Sequence, residues 1–323
     1  MTLSEFSNKL NVWGQSRIPF LFMVDFELEK PRAWKLSEID AAEIQYNIRG
    51  FTNAVGNSQV TETGKLKIFA NSFQGYEKKF NFVHNQLYSG YSFLTNLTDK
   101  TRIEIDRPLS VFFEQSNASY KLLFKDEFLV FSPESFIQTK DNKVYSFPMK
   151  GTIDAGVSNA KEKILCDPKE LAEHVTIVDL IRNDLSKIAS NVTVERFRYT
   201  EEVKTRGKNL LQVSSEIVGD LAAGYASVIG DLIVSLLPAG SVSGAPKAKT
   251  LQIIREAENE KRGYYTGVFG YFDGVDLDSG VMIRFIERSG DKMFYRSGGG
   301  ITTQSNARSE YQELIDKVYV PIN

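Results

Sequence analysis

Only one cysteine (Cys166) and two histidines (His84 and His174) occur in the 323 residues of this chain. A single cysteine excludes an intramolecular disulfide, a zinc ribbon and a CxxC redox pair. Two histidines, without HExxH and without a third, leave too few ligands for a zinc hydrolase site. A Ser-His-Asp or Cys-His arrangement would have to use one of these two. Apolar runs are short. The longest early one, Phe20 to Val24, stops at Asp25, and no stretch nears the ~18 apolar residues of a membrane span. Residues 1–15 lack the basic start, apolar core and cleavage site of a signal peptide, so a cytoplasmic address is expected. A formal net charge of -2 offers no basic footprint for nucleic acid.

Carboxylates and amines are what the chain has in quantity: 41 Asp+Glu and 39 Lys+Arg. Any catalysis is therefore expected to run on these groups, with a hard cation such as Mg²⁺ if a metal is used. There is no repeat, low-complexity tract or linker, and turn residues interrupt the chain every 10–20 residues. That spacing suits a single domain over 1–323. Strands are expected at 18–27, 66–73, 110–114, 120–125, 128–131 and 143–147, with one early helix at 37–48. Asp167-Pro168-Lys169-Glu170 reads as a capped helix start. The helix it opens shows Leu171, Val175, Val178, Ile181 and Leu185 at helical spacing, as a core face would. Further helices are expected at 226–236, from Pro246 to about 260, and at 306–319, with strands at 265–272, 280–288 and 292–297. Blocks of strands and helices, not strict alternation, point to an α+β fold.

Two carboxylate pairs stand at i,i+3: Glu170 and Glu173 on one helix, and Glu310 and Glu313 on the last, with Lys317 four residues beyond. Like charges at this spacing are mildly destabilising unless a cation offsets them, and a shared Mg²⁺ would do so. Solvated helix faces would give the same pattern. Two glycine-rich segments, Ser297–Thr302 after a strand and Gly240–Lys247 before a helix, could cradle an anion or simply turn the chain. Neither is a P-loop or a dinucleotide fingerprint. Lys150 and Glu134 sit at strand ends, where most such residues are solvated. Arg284 lies within an apolar strand, where a charge needs a partner, either a bound carboxylate or an internal ion pair.

Taken in order, these segments resemble the chorismate-utilising enzymes, a family that includes component I of anthranilate and aminodeoxychorismate synthases and the isochorismate and salicylate synthases. The matching pieces are Ser132-Pro-Glu134, Pro148-Met-Lys-Gly-Thr152, Glu173-His174 leading to Ile177–Asp184, Leu237–Lys247, Tyr265-Thr-Gly267, Ile283-Arg284, Gly298–Ile301 and Glu310-Tyr-Gln-Glu313 with Lys317. They run collinearly through a motif-bearing part at about 90–320, behind a shortened N-terminal part, 1–75. The resemblance implies one α+β domain of two packed antiparallel sheets with outer helices and the site in a cleft. It implies Glu173 and Glu313 as Mg²⁺ ligands, with Glu170 and Glu310 nearby. Thr152, Ser243, Gly244, Tyr265, Arg284, Gly299, Gly300 and Lys317 would contact chorismate, and Glu134 would act as general acid/base.

Within that family Lys150 is the discriminating position. The synthases of anthranilate, isochorismate and salicylate usually carry alanine there, whereas lysine resembles aminodeoxychorismate synthase, in which it attacks the ring. The resemblance then implies 4-amino-4-deoxychorismate as product, for 4-aminobenzoate and folate synthesis. Ammonia would come from a glutamine amidotransferase partner, since no Cys-His glutaminase signature is present. Three departures bear on this. Leu210–Ser214 lacks the histidine many members place before the Val-Ser pair. Leu94 stands where isochorismate and salicylate synthases carry a water-activating lysine. Ser243 stands where many aminodeoxychorismate enzymes have threonine, which keeps anthranilate synthase as the alternative. No tryptophan-binding segment is recognisable in 1–75.

Overall fold

The computed structural model describes residues 1–54, 64–203 and 209–321. Its strands explain the unbroken apolar runs. Every residue of Phe20–Val24 is buried. Phe20, Phe22 and Val24 join one core with Phe6, Leu10 and Ile229, while Leu21 and Met23 join another with Ile44, Leu122 and Phe269. A strand covered on both faces has no solvent side, so it reads as continuous rather than alternating hydrophobicity.

Two antiparallel sheets result, each of nine strands among the described residues. The first runs Met149–Asp154, Leu210–Asp220, Lys143–Ser146, Ser135–Lys140, Leu277–Val281, Val268–Phe272, Phe20–Val24, Arg32–Lys35, with Ser190–Val203 also paired to Leu210–Asp220. The second runs Gly244–Ala245, Leu94–Ile105, Lys292–Ile301, Phe285–Ser289, Phe128–Ser132, Tyr120–Phe124, Ile44–Ile48, Phe51–Thr52, with Leu66–Phe69 paired to Leu94–Ile105. The sheets pack face to face through residues such as Met23, Leu122, Val130 and Phe285. Helices Leu3–Gln15, Pro168–Leu185 and Ile229–Ser235 cover the first sheet. Helices Phe73–Tyr88, Lys247–Glu258 and Ala307–Asp316 cover the second. This is the expected α+β architecture, two packed antiparallel sheets with outer helices.

Several local expectations are corrected. The stretch 37–48 holds a single 3-10 turn, Leu36–Glu38, and the strand Ile44–Ile48, not a helix. The stretch 110–114 lies in the helix Leu109–Gln115, which buries Leu109, Phe112 and Phe113 at helical spacing; so short an apolar run fits either period. The strand expected at 280–288 is two strands, Leu277–Val281 and Phe285–Ser289, broken at Arg284 with φ 54°. Gly298, Gly299 and Gly300 do not form a loop after a strand but lie inside Lys292–Ile301, paired with Thr98, Leu97 and Asn96. The stretch Tyr225–Val242 is apolar enough by composition to cross a membrane, contrary to expectation. It folds as the turn Tyr225–Val228, the seven-residue helix Ile229–Ser235 and the turn Gly240–Val242. Seven residues of helix reach only about 10 Å.

On Pro168–Leu185 the cap is as read: the Asp167 carboxylate accepts from the Glu170 amide at 3.0 Å, and Pro168 opens the first turn. The core face is so only in part: Val178 and Leu185 are buried and Ile181 packs against them as read. Leu171 and Val175 are exposed, while Glu173, His174, Ile177, Val178, Asp184 and Leu185 are buried. A helix that turns charged residues inward is lining a site.

Candidate active site

The chain passes between the two sheets twice in adjacent places, and each crossing carries a site residue. Between Phe128–Ser132 and Ser135–Lys140 stands Glu134; between Leu277–Val281 and Phe285–Ser289 stands Arg284. The crossings are stitched together. The Val281 amide donates to the Glu134 carbonyl at 3.1 Å, and the Phe131 amide donates to the Arg284 carbonyl at 3.1 Å. The Ser132 hydroxyl accepts from the Glu134 amide at 3.0 Å, and the Ser241 hydroxyl donates to the Glu134 carboxylate. Burial pushes that carboxyl above its ordinary range; the Ser241 hydrogen bond and the charges of Arg284, Lys317 and Lys150 oppose this.

Lys150 projects from Met149–Asp154 at the edge of the first sheet, within a strand and not past its end as expected. Its ammonium lies 2.7 Å from Glu173 Oε2. Burial alone would lower its pKa, but Glu173, then Glu313 and Glu170, outweigh burial and hold it above the ordinary lysine value. The same ammonium approaches Gly300 on the second sheet. A Cβ at Gly300 would stand 3.4 Å from Lys150 Nζ and 2.9 Å from Leu94 Cδ1. Lys150, Leu94 and Gly300 thus share one small space where the two sheets face each other.

The four glutamates arrive from two helices. Glu170 and Glu173 come from Pro168–Leu185, and Glu310 and Glu313 from Ala307–Asp316. The Glu170 carboxylate leans over Gly151, where a Cβ would lie 2.9 Å from its Oε2. Glu310, Glu313 and Lys317 converge over Gly299, with Glu310 Oε2, Lys317 Nζ and Glu313 Oε1 at 3.5, 3.7 and 3.8 Å from the position of a Cβ there. Lys317 lies 2.6 Å from Glu313 and donates to the Gly298 carbonyl at 2.8 Å. Burial lowers the Lys317 pKa despite Glu313, and raises the carboxyls of Glu310 and Glu170. For Glu313 burial is outweighed by Lys317, and its carboxyl is lowered.

Lys169, not singled out from sequence, spans the two helices. Its Nζ is 3.8 Å from Glu173 Oε1 and 4.0 Å from Glu310 Oε1. Among the described residues no three Asp, Glu, His or Cys side chains already form a metal-binding group. The donor set nevertheless suits a hard cation. It is all carboxylate oxygen, drawn from both helices, and a lysine ammonium already stands between them.

The remaining expected residues divide. Tyr265 is buried, and burial, only partly offset by nearby Arg262 and Arg284, raises its hydroxyl pKa. The Arg284 guanidinium lies 5.2 Å from the Tyr319 ring, and its buried Nε has no hydrogen-bond partner among the described residues. A half-buried guanidinium with an unmet buried donor suits a carboxylate ligand. Gly244, at φ 137°, is paired with Thr95 and leaves no room for a side chain, since a Cβ would fall 1.9 Å from the Leu94 carbonyl oxygen. Two residues are not turned to the centre. The Ser243 hydroxyl donates to the Ala239 carbonyl at 2.9 Å, and Thr152 is exposed on the sheet edge opposite Gln212. His174 is fully buried and, among the described residues, bonds to a carbonyl and a hydroxyl and to no carboxylate. Its Nδ1 is 3.3 Å from the Lys150 carbonyl and its Nε2 2.7 Å from the Ser215 hydroxyl. Burial pushes it down to about 4, so it is neutral at pH 7. Its place beside Glu173 in sequence hinted at the site, but its contact with the Lys150 backbone appears only in three dimensions.

The model of the chorismate binding enzyme family matches residues 24–323. A Haemophilus influenzae protein named only as an uncharacterised PabA-like protein is 46% identical over 321 residues, 99% of this chain and 98% of its own length. Component 1 of Bacillus subtilis aminodeoxychorismate synthase is 35% identical over 196 residues, 58% of this chain and 38% of its own. Anthranilate synthase component I of Streptococcus pneumoniae superposes with a TM-score of 0.65 at 27% identity, covering 80% of this chain and 59% of that one.

Proposed function

The chain belongs to the chorismate binding enzyme family, and from that premise we propose that it is an aminodeoxychorismate synthase component I. The reading makes 4-amino-4-deoxychorismate from chorismate and ammonia, the ammonia delivered by a glutamine amidotransferase partner. The observation that carries it is the position of Lys150, whose amine stands at Gly300 between the two sheets, within reach of the glutamates.

Arg284, Tyr265 and Lys317, with the backbone of Gly299 and Gly300, would grip the carboxylates of chorismate. Glu173 and Glu313 would hold Mg²⁺, with Glu170 and Glu310 beside them. The ion would supply Lewis-acid charge for the ring carboxylate. Attack requires a neutral amine, so the Lys150–Glu173 pair must open and the ammonium must give a proton to solvent. Lys150 Nζ would then bond to C2 of the ring as both ring double bonds shift and the C4–O bond breaks, and Glu134 would protonate the departing hydroxyl to water. Ammonia would add at C4, both double bonds shift back, the C2–N bond to Lys150 breaks to return the amine, and the proton shed by the added ammonia restores the Glu134 acid. The net change is chorismate plus ammonia to aminodeoxychorismate plus water. Raised by burial, the Glu134 carboxyl suits proton delivery.

Incubation with chorismate, Mg²⁺ and ammonium, followed by separation of products, tests the reading. Aminodeoxychorismate is expected. Anthranilate, fluorescent and formed with pyruvate release, would replace this reading with anthranilate synthase component I. Chorismate binding without turnover would indicate a non-catalytic binding protein.

A further inference from the structure

We propose that Ser241 is a positioning residue that aims the Glu134 carboxyl and sets its proton affinity. The proposal rests on the acid/base reading of Glu134 given above.

The case begins with how firmly Ser241 is held. It follows Gly240 in the turn Gly240–Val242. The loop around it is braced on both sides by buried ionic groups. On one side the Lys247 ammonium lies 2.7 Å from Asp184 Oδ2 and donates to the Leu236 carbonyl at 3.0 Å. Asp184 also takes Lys187 at 2.6 Å, and its Oδ2 sits 3.0 Å from where a Gly240 Cβ would be. On the other side Arg262, 1% exposed, donates to the Val242 carbonyl at 2.9 Å while paired with Glu258. The Ser243 hydroxyl closes the turn on the Ala239 carbonyl. Every residue flanking Ser241 is tied to the scaffold, whereas the Ser241 hydroxyl itself is directed at Glu134 Oε1.

Glu134 is also fixed at its backbone, through Ser132 and Val281. Its side-chain torsions remain free in principle, and the Ser241 hydroxyl donates to the Oε1 they carry. The charged groups around the carboxyl are Arg284 from the second crossing, Lys317 from the end of the last helix and Lys150 from the sheet edge. Asp184 lines the same cavity as Glu134 and Ser241. A hydroxyl that donates to an ionised carboxylate favours the ionised form. Removing it therefore raises the pH at which Glu134 loses its proton, and lets the carboxyl swing.

The test measures chorismate turnover with ammonium and Mg²⁺ across pH, using the full chain. Ser241→Ala is expected to lower kcat by about ten- to a hundredfold with little change in KM, the scale of a misplaced catalytic group. The pH–rate limb assigned to Glu134 should move upward, and Ser241→Thr should restore both rate and profile. A folded Ser241→Ala protein with wild-type kcat and pH profile, alongside an inactive Glu134→Gln, overturns the proposal and leaves the Glu134 reading standing. A Glu134→Gln protein with wild-type turnover overturns the acid/base reading, and the proposal with it.

Discussion

Lys150 Nζ and Glu173 Oε2 stand 2.7 Å apart, so the proposed nucleophile and a proposed metal ligand neutralise one another. Glu173 is 6% exposed, and a buried carboxylate without a cation is costly. Lys150 therefore has two duties, charge balance and attack. Lys150→Ala is expected to abolish any covalent adduct with substrate seen by intact mass. An adduct that persists moves the nucleophile elsewhere. Lys150→Arg separates the duties, because it keeps the positive charge and loses the nucleophile; it should be as inactive as the alanine variant but more stable to urea.

The metal reading can be tested without turnover. Glu313→Gln is expected to weaken binding of Mg²⁺ alone, titrated calorimetrically. Lys169 makes the opposite prediction. Its ammonium lies within 4.0 Å of Glu173 and Glu310 and competes for their charge. Lys169→Ala should therefore tighten Mg²⁺ binding by several-fold, on the scale of ~1 kcal/mol for a partly exposed pair. An unchanged titration in both variants removes these glutamates from the metal shell.

Gly300 is constrained by its neighbours rather than by its backbone. A methyl there would press on Leu94 Cδ1 at 2.9 Å and crowd the Lys150 ammonium at 3.4 Å. Both are ends of flexible side chains, so Gly300→Ala should fold with a melting temperature within a few degrees of wild type. Its kcat should drop by about tenfold or more as the amine is displaced. An unaffected rate would place the ring away from Gly300.

These residues also show what could be read from one dimension. The start of Pro168–Leu185 was legible because its cap is local, Asp167 to Glu170. The motif glutamates, Lys150 and Glu134 were legible as a collinear set, and in the structure Lys150 lies near enough for its charge to act on the others. Pairing across the chain was not legible. Gly298–Gly300 looks like a loop until Leu97 and Thr98 are seen alongside it. The inward face of Pro168–Leu185 was legible only in part, for a different reason. Amphipathic periodicity assumes that the buried stripe is apolar, and here Glu173, His174 and Asp184 occupy it while Leu171 and Val175 face out. Lys169 and Ser241 were not singled out, and His174 was marked only as the neighbour of Glu173, because the importance of all three lies in what they touch.

Asp278, remote from the glutamates, offers a test of the packing between sheets. Its carboxylate accepts from the Tyr120 hydroxyl at 3.0 Å and faces Arg49 at 3.5 Å. Burial dominates these partners and pushes the carboxyl up from 3.8 to about 6. A raised folded-state value means that the fold prefers the protonated acid. The associated stability is fully present below pH ~3.8 and is lost as pH rises through about 6. Asp278→Asn mimics the protonated acid and keeps an oxygen for Tyr120. It should match wild type at about pH 4, exceed it at pH 7, and lack the fall between. Urea midpoints at those two pH values measure this. If the variant is no more stable than wild type at pH 7, the carboxylate is not held at a cost where the two sheets meet.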